Sequence, residues 1–146
     1  MDDKLDALIN KMLDLMPLFK HKLSRPWEHT APGEIGPSQR MALFVLQQEG
    51  PMAMTALAKQ LHIFKQQLTA IVDKLEKEGL ISRMPDKHDR RIINVSISSK
   101  GEALLKLQFE QMKEAVKAKL SALPEKELEK LDKALGDIAE VLKLLP

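Results

Sequence analysis

One short stretch breaks the rhythm of this chain. Over most of its 146 residues, apolar side chains return every three or four positions, the spacing of one helix face. Between Leu80 and Ser98 the period drops to two. Leu80–Met84 is a short strand-like run, Pro85–Arg90 is polar turn chemistry, and in Arg91–Ser98 the residues Ile93, Val95 and Ile97 fall on one face, Asn94 and Ser96 on the other. A β-hairpin set into a helical chain narrows the architecture to a mainly α protein with a small β-hairpin wing (α+β). Aromatics are only 3% of the residues and Tyr is absent. Helices packed on helices are therefore expected rather than sheet on sheet.

Around the hairpin the helices can be placed. Leu5, Leu8, Ile9, Met12, Met16, Phe19 and Leu23 make residues 3–23 an amphipathic helix. Pro17 lies inside it, lacks a backbone donor, and predicts a kink or break near Leu13–Met16. Ser24–Pro37 holds three Pro and two Gly and reads as a loop. Ser38 is the expected N-cap of a helix to Gln48. Thr55 opens a short helix to Leu61, and His62 and Ile63 turn the chain into a longer helix, about Phe64 to Glu78, closed by Gly79. Ser99 is the expected cap of a helix to about Leu120, and Pro124 suits the first turn of a last helix. The divisions expected are residues 1–37 (dimerisation helix and loop), 38–101 (helix-turn-helix and hairpin) and 102–146 (dimerisation helices).

Composition removes several function classes. No Cys is present, which excludes a disulfide scaffold, a thiolate metal site and a Cys nucleophile. The four His, His21, His29, His62 and His88, sit on four different elements without ligand spacing, so no metal and no cofactor is expected. No phosphate-binding glycine loop, H-E-x-x-H or G-x-S-x-G occurs, and an enzyme is not expected. No apolar run reaches membrane-span length, and the acidic start does not resemble a secretory signal. A cytoplasmic protein with no membrane partner is the expectation. Charge is placed unevenly. Residues 57–101 carry nine Lys and Arg against five Asp and Glu, while the flanking thirds are slightly acidic. A polyanion partner is indicated for the middle segment.

Helix, short helix, turn, longer helix and hairpin, in that order, are a way to present one helix to the DNA major groove. In the longer helix Leu68, Ile71, Val72 and Leu75 share the core face. Lys65, Gln66, Gln67, Thr69 and Ala70, with Lys74 flanking, form the expected groove-facing set. Gln can bond adenine bidentately, Lys can reach phosphate or guanine, and Ala70 offers at most an apolar contact to a thymine methyl. The hairpin supplies Arg83, Lys87, His88, Arg90 and Arg91 with Asp86 and Asp89. An Arg at such a tip can enter a narrow minor groove, and Asp89 can orient Arg91 through a bidentate pair. The competing reading is a winged helix used only for protein–protein contacts, without DNA binding.

These residues carry a resemblance. Thr55–Leu61, Leu68–Ile81 and Asp86–Gly101 resemble the core of the MarR family, the multiple-antibiotic-resistance-type transcriptional regulators. The family's D-x-R wing element matches Asp89 and Arg91, and its strand-to-helix ending matches Ile97–Gly101. The resemblance implies a homodimeric winged-helix regulator, action as a repressor on pseudo-palindromic double-stranded DNA, and tuning by a small anionic aromatic effector. Two positions depart from the pattern: Phe64 stands where the family often has a small capping Ser, and Ala70 where it often has Arg.

Two further sites are expected. Leu128, Leu131, Leu135, Ile138, Leu142 and Leu145 keep a heptad-like spacing in the last helix. With Leu5, Leu8 and Met12 of the first helix they form the expected homodimer interface. Phe19, Arg25, Trp27, His29, Arg40 and Phe44 are the candidate lining of an effector pocket, since aromatic walls with a few cations suit a lipophilic anion.

Overall fold

A computed structural model of the chain describes residues 1–24 and 35–146. Its residues group into two compact units, one of Met1–Leu23 with Met112–Pro146, the other of Ser24–Gln111.

Helix α1, Asp2–Phe19, lies in the first unit, and the second opens with α2, Pro37–Glu49. Gly36, not Ser38, precedes its first turn, and the Gln39 Oε1 accepts the Gly36 N–H at 2.8 Å. Pro37 explains the shift: its missing donor costs nothing at the first helical position and its φ is already helical. Strand β1, Met52–Ala53, leads directly into α3, Met54–Leu61. Pairing of Ala53 with Asn94 holds Ala53 extended, so the helix starts one residue before the expected Thr55. His62 takes the left-handed conformation (φ 53), and the His62 and Ile63 N–H groups close on Lys59 and Ala58 carbonyls. Helix α4, Lys65–Lys77, follows. Gly79 (φ 74) ends its last turn in a conformation L side chains rarely adopt, and the Leu80 N–H reaches the Leu75 carbonyl at 2.9 Å.

Strands β2, Ile81–Pro85, and β3, Ile93–Ile97, form the hairpin. It is one part of a three-stranded antiparallel sheet in the order β1-β3-β2. The expected hairpin of β2 and β3 is present, and β1 adds a third strand to it. Two residues, Met52 and Ala53, are too few to show an alternating pattern, and their strand character comes from β3. Helix α5, Ser99–Leu120, begins where β3 ends. Its cap is Ser98 rather than Ser99: the Ser98 hydroxyl accepts the Gly101 N–H at 3.0 Å and donates to the Gly79 carbonyl at 2.6 Å.

The core lies within this unit. Ile35, Leu43, Leu46, Leu57, Leu68, Val72, Leu75, Leu80, Val95 and Leu105 are buried together. Each such side chain contributes about 1.5–3 kcal/mol relative to exposure. Leu68, Val72 and Leu75 are the expected inward face of α4, and Ile71 packs at its margin.

The other unit holds α1, Asp2–Phe19, and α6, Glu125–Leu142, with the end of α5. Pro17 sits inside α1 without breaking it near Leu13–Met16; instead the helix widens into a π turn at Lys20–Ser24. A proline removes one bond in the preceding turn, and here the irregularity emerges after it. Pro124 occupies the N-cap of α6 rather than its first turn. Among the described residues no helix is long and apolar enough to cross a membrane.

Candidate nucleic-acid interface

The outward side of α4 is polar by construction, because its apolar positions are used by the core. Lys65, Gln66, Gln67, Ala70 and Lys74 are exposed and Thr69 half-buried. Two of these side chains are already engaged. The Gln67 Oε1 accepts the Phe64 N–H at 3.1 Å, and the Thr69 hydroxyl donates to the Lys65 carbonyl at 2.9 Å. Gln67 thus satisfies a helix-terminal donor in place of a capping hydroxyl.

Arg83, expected as a wing contact, is already paired within the chain. Its guanidinium pairs with Asp73 and lies 3.3 Å from Glu76, both on α4. The hydrogen bond to Asp73 is the main reason its pKa is raised, ahead of the opposing effect of burial. Arg83 therefore ties β2 to α4. Asp73 lies on the exposed side of that helix, ten residues before Arg83, and the sequence offers no signal for the pairing.

At the tip, Lys87, His88, Arg90 and Arg91 are exposed. Arg91 is held as expected: Nε donates to Asp89 Oδ1 and Nη2 to Oδ2, each at 3.1 Å, and its backbone N–H adds a bond to Oδ1 at 3.0 Å. These bonds, the guanidinium's first, lower the Asp89 pKa. The Arg91 side chain nevertheless stays 90% exposed, so its outer edge is open. Asp86 organises the loop itself. Its carboxylate accepts from Asn94 Nδ2 at 2.9 Å and from the His88 and Asp89 N–H groups at 3.0 and 3.2 Å. Those bonds, Asn94 first, lower its pKa. The signal available was an Asp two residues before a turn with an Asn opposite.

Between α4 and the sheet lies a concavity of about 560 Å³, lined among others by Thr55, Lys65, Thr69, Arg83, Arg91 and Ile92. Lys65 at the start of α4 and Arg91 on the wing thus border the same hollow. Among the described residues, no three His, Asp or Glu cluster as metal ligands.

The other candidate sites are placed as follows. Arg25, Trp27 and His29 lie outside the described residues. Phe19, about half exposed, belongs to the unit of α1. In the other unit Arg40 donates from Nε to Gln108 Oε1 at 2.8 Å and from Nη2 to the Ile35 carbonyl at 3.4 Å. Phe44 stacks on Phe109 with ring centroids 6.4 Å apart. Leu5, Leu8, Met12, Leu135, Ile138 and Leu142 are each about half exposed, and Leu128 and Leu131 are partly buried.

Comparison with known proteins agrees with this geometry. Residues 35–93 match the model of the MarR family. The HTH-type transcriptional repressor MdtR of Bacillus subtilis is 28% identical over 120 residues, covering 80% of this chain and 75% of the relative. The crystal structure of YusO from Bacillus subtilis superposes with a TM-score of 0.71 at 21% identity, covering 96% of this chain and 97% of that one, a likeness of fold. The transcriptional regulator BldR from Sulfolobus solfataricus gives 0.59 at 29% identity, covering 93% and 96%. With the match centred on the helix-turn-helix and the likeness extending into the flanking helices, residues 35–93 of the chain match the MarR family model, and the chain is similar over most of its length to HTH-type transcriptional regulators.

Proposed function

We propose that the chain is a homodimeric repressor of pseudo-palindromic operators, acting in the cytoplasm and by binding rather than catalysis. Each protomer lays α4 in a major groove, with Lys65, Gln66, Gln67, Thr69, Ala70 and Lys74 facing it. The wing reaches the flanking minor groove through Arg91, with Lys87, His88 and Arg90 near the backbone and Asp89 holding the guanidinium. The observation that carries this reading is that Lys65 and the tethered Arg91 border one concavity. Cations on a shared hollow suit a phosphate backbone, whose contacts dominate affinity. The name of the Bacillus relative supports repression.

Dimerisation through α1 and α6 is supported by the half-exposed apolar stripe along both helices, neither of which buries a residue. Met1–Leu23 and Met112–Pro146 supply that interface and Ser24–Gln111 the DNA-binding lobe, since Ile35 and Leu105 are buried in the core of the lobe. Selection of fragments from sheared genomic DNA by the full chain, followed by footprinting, tests the whole reading. Two protected half-sites should be centred about 10 bp apart or a multiple of it. A mobility shift absent for every duplex, even in dilute salt, would instead leave the protein-contact reading.

The effector reading rests on Arg40 and Phe44 at the start of the DNA-binding lobe, together with the aromatic and cationic residues Arg25, Trp27 and His29 that precede them in sequence. Trp27 is the single Trp, so benzoate titration followed by its fluorescence reports binding directly. A saturating change accompanied by release of DNA supports the pocket; a flat titration excludes this class of ligand there.

A further inference from the structure

Phe64 is out of keeping with its place. It is the N-cap of α4, a position that favours a short polar side chain, yet it is a large apolar residue 80% exposed. The fold does not require it. Ile63, one residue earlier, packs against the core, and Leu68, four residues into the helix, is fully buried, so an apolar brace for the helix start is available without Phe64. Capping does not require it either, because the Gln67 side chain takes the Phe64 N–H. Its own carbonyl accepts the first helical bond, from the Leu68 N–H at 3.1 Å. The ring therefore projects from the leading end of α4, beside exposed Lys65 and Gln66.

We infer that Phe64 is a sequence-reading residue that packs against the 5-methyl group of a thymine in the major groove. The inference rests on the DNA-binding reading of α4 and extends it. The N-terminal residues of a groove helix are those nearest the base edges. Thymine alone presents a methyl there, and apolar side chains, Phe among them, read it by contact. The polar neighbours at this end of the helix fit a wet, anionic groove better than an apolar protein surface. A thymine methyl is the apolar feature such a groove offers an exposed ring.

The test uses the full chain and an operator fragment recovered from genomic DNA. Thymines are replaced one at a time by deoxyuridine, which removes only the methyl. At one position per half-site the wild-type protein should weaken by about fourfold, the value of one buried methyl-sized group. Phe64→Ala should bind the unmodified operator about fourfold more weakly per half-site and be indifferent to uracil at that same position. Phe64→Leu, still apolar, should recover part of the sensitivity. Equal uracil sensitivity in wild type and Phe64→Ala would overturn the inference, as would insensitivity of the wild type at every thymine. Both results leave DNA binding standing, whereas loss of binding by the wild type to every duplex removes the reading of α4 itself. Thermal unfolding of Phe64→Ala should match the wild type, since the residue is 80% exposed.

Discussion

The tethered pair at the wing tip separates charge from geometry, and substitution of Asp89 and Arg91 singly and together should show both. Each protomer of the proposed dimer presents one Arg91, gripped through three bonds to Asp89. Observed affinity for B-DNA falls with salt at a slope of about 0.9 per phosphate neutralised. Arg91→Ala removes one positive charge per protomer, so the slope should become shallower by about 1.8 for the dimer. Between 50 and 200 mM salt that difference compounds to about twelvefold. The variant's deficit should thus be about twelve times larger at the lower salt. Asp89→Ala changes local charge in the opposite sense and should steepen the slope by a similar amount. It also frees the guanidinium, so preference for operator over random duplex should fall even as non-specific binding rises. The double variant should restore the wild-type slope without the lost preference. Fluorescence anisotropy with operator and random duplexes of equal length, at three salt concentrations, reads all four proteins. An unchanged slope in Arg91→Ala, or full preference in the double variant, would refute the reasoning.

Other consequences can be measured independently. A Cβ on Gly101 would lie 2.2 Å from the Leu80 carbonyl oxygen and 2.8 Å from Ile97 Cγ1; overpacking of about 1–3 kcal/mol should exceed a helix-propensity gain of at most about 1 kcal/mol. Gly101→Ala should therefore lower Tm by several degrees, and an unchanged or higher Tm in calorimetry would contradict the close approach. Leu135→Glu should place a charge in the stripe of α6 and convert a dimer to monomer, with loss of operator affinity; sedimentation showing an intact dimer would remove Leu135 from the interface. The carboxyls of Asp86 and Asp89 are held below their ordinary value of 3.8 by hydrogen bonds. Their contribution to wing order is thus present above that value and lost as pH falls through the depressed pKa values. Carbon-detected NMR titration should give midpoints below 3.8 for both, and a midpoint at or above it for either would contradict its bonding.

Much of the architecture was legible because it rests on periodicity. Leu68, Val72 and Leu75 declare the inner face of α4, and Ile93, Val95 and Ile97 mark one face of β3. Gly79 announces the end of α4 because few other residues accept its φ of 74. What escaped is what depends on a partner distant in sequence. Strand β1 exists through its pairing with β3, so Met52 and Ala53 carry no pattern of their own. Arg83 reads as one more wing cation until Asp73 and Glu76 are seen to face it across the turn. The Asp89–Arg91 grip was legible because both ends lie two residues apart. The caps erred by a position or two where a proline or a neighbouring serine competed for the same role, as at Gly36 and Ser98.

The wing carries two kinds of cation, and under the proposed DNA binding the difference between them would let one small hairpin give both affinity and selectivity. Lys87 and Arg90 are exposed long side chains on the loop. Ordering each against a phosphate costs rotamer entropy of up to about 2 kcal/mol. That suits contacts formed and broken anywhere along a duplex. Arg91 has already lost much of that freedom, because Asp89 fixes its plane while leaving its outer edge to solvent. A fixed guanidinium gains less from an indifferent site and more from a groove whose width matches its position, so rigidity is converted into discrimination. Arg83 sets the frame in which that position has meaning. By joining β2 to Asp73 and Glu76 it links the wing to the helix that would read the bases. Asp86 holds the loop between them through Asn94, His88 and Asp89. Asp89, which reduces the net charge of the wing and would weaken attraction to DNA if charge were all that mattered, is therefore the residue that gives Arg91 its fixed position.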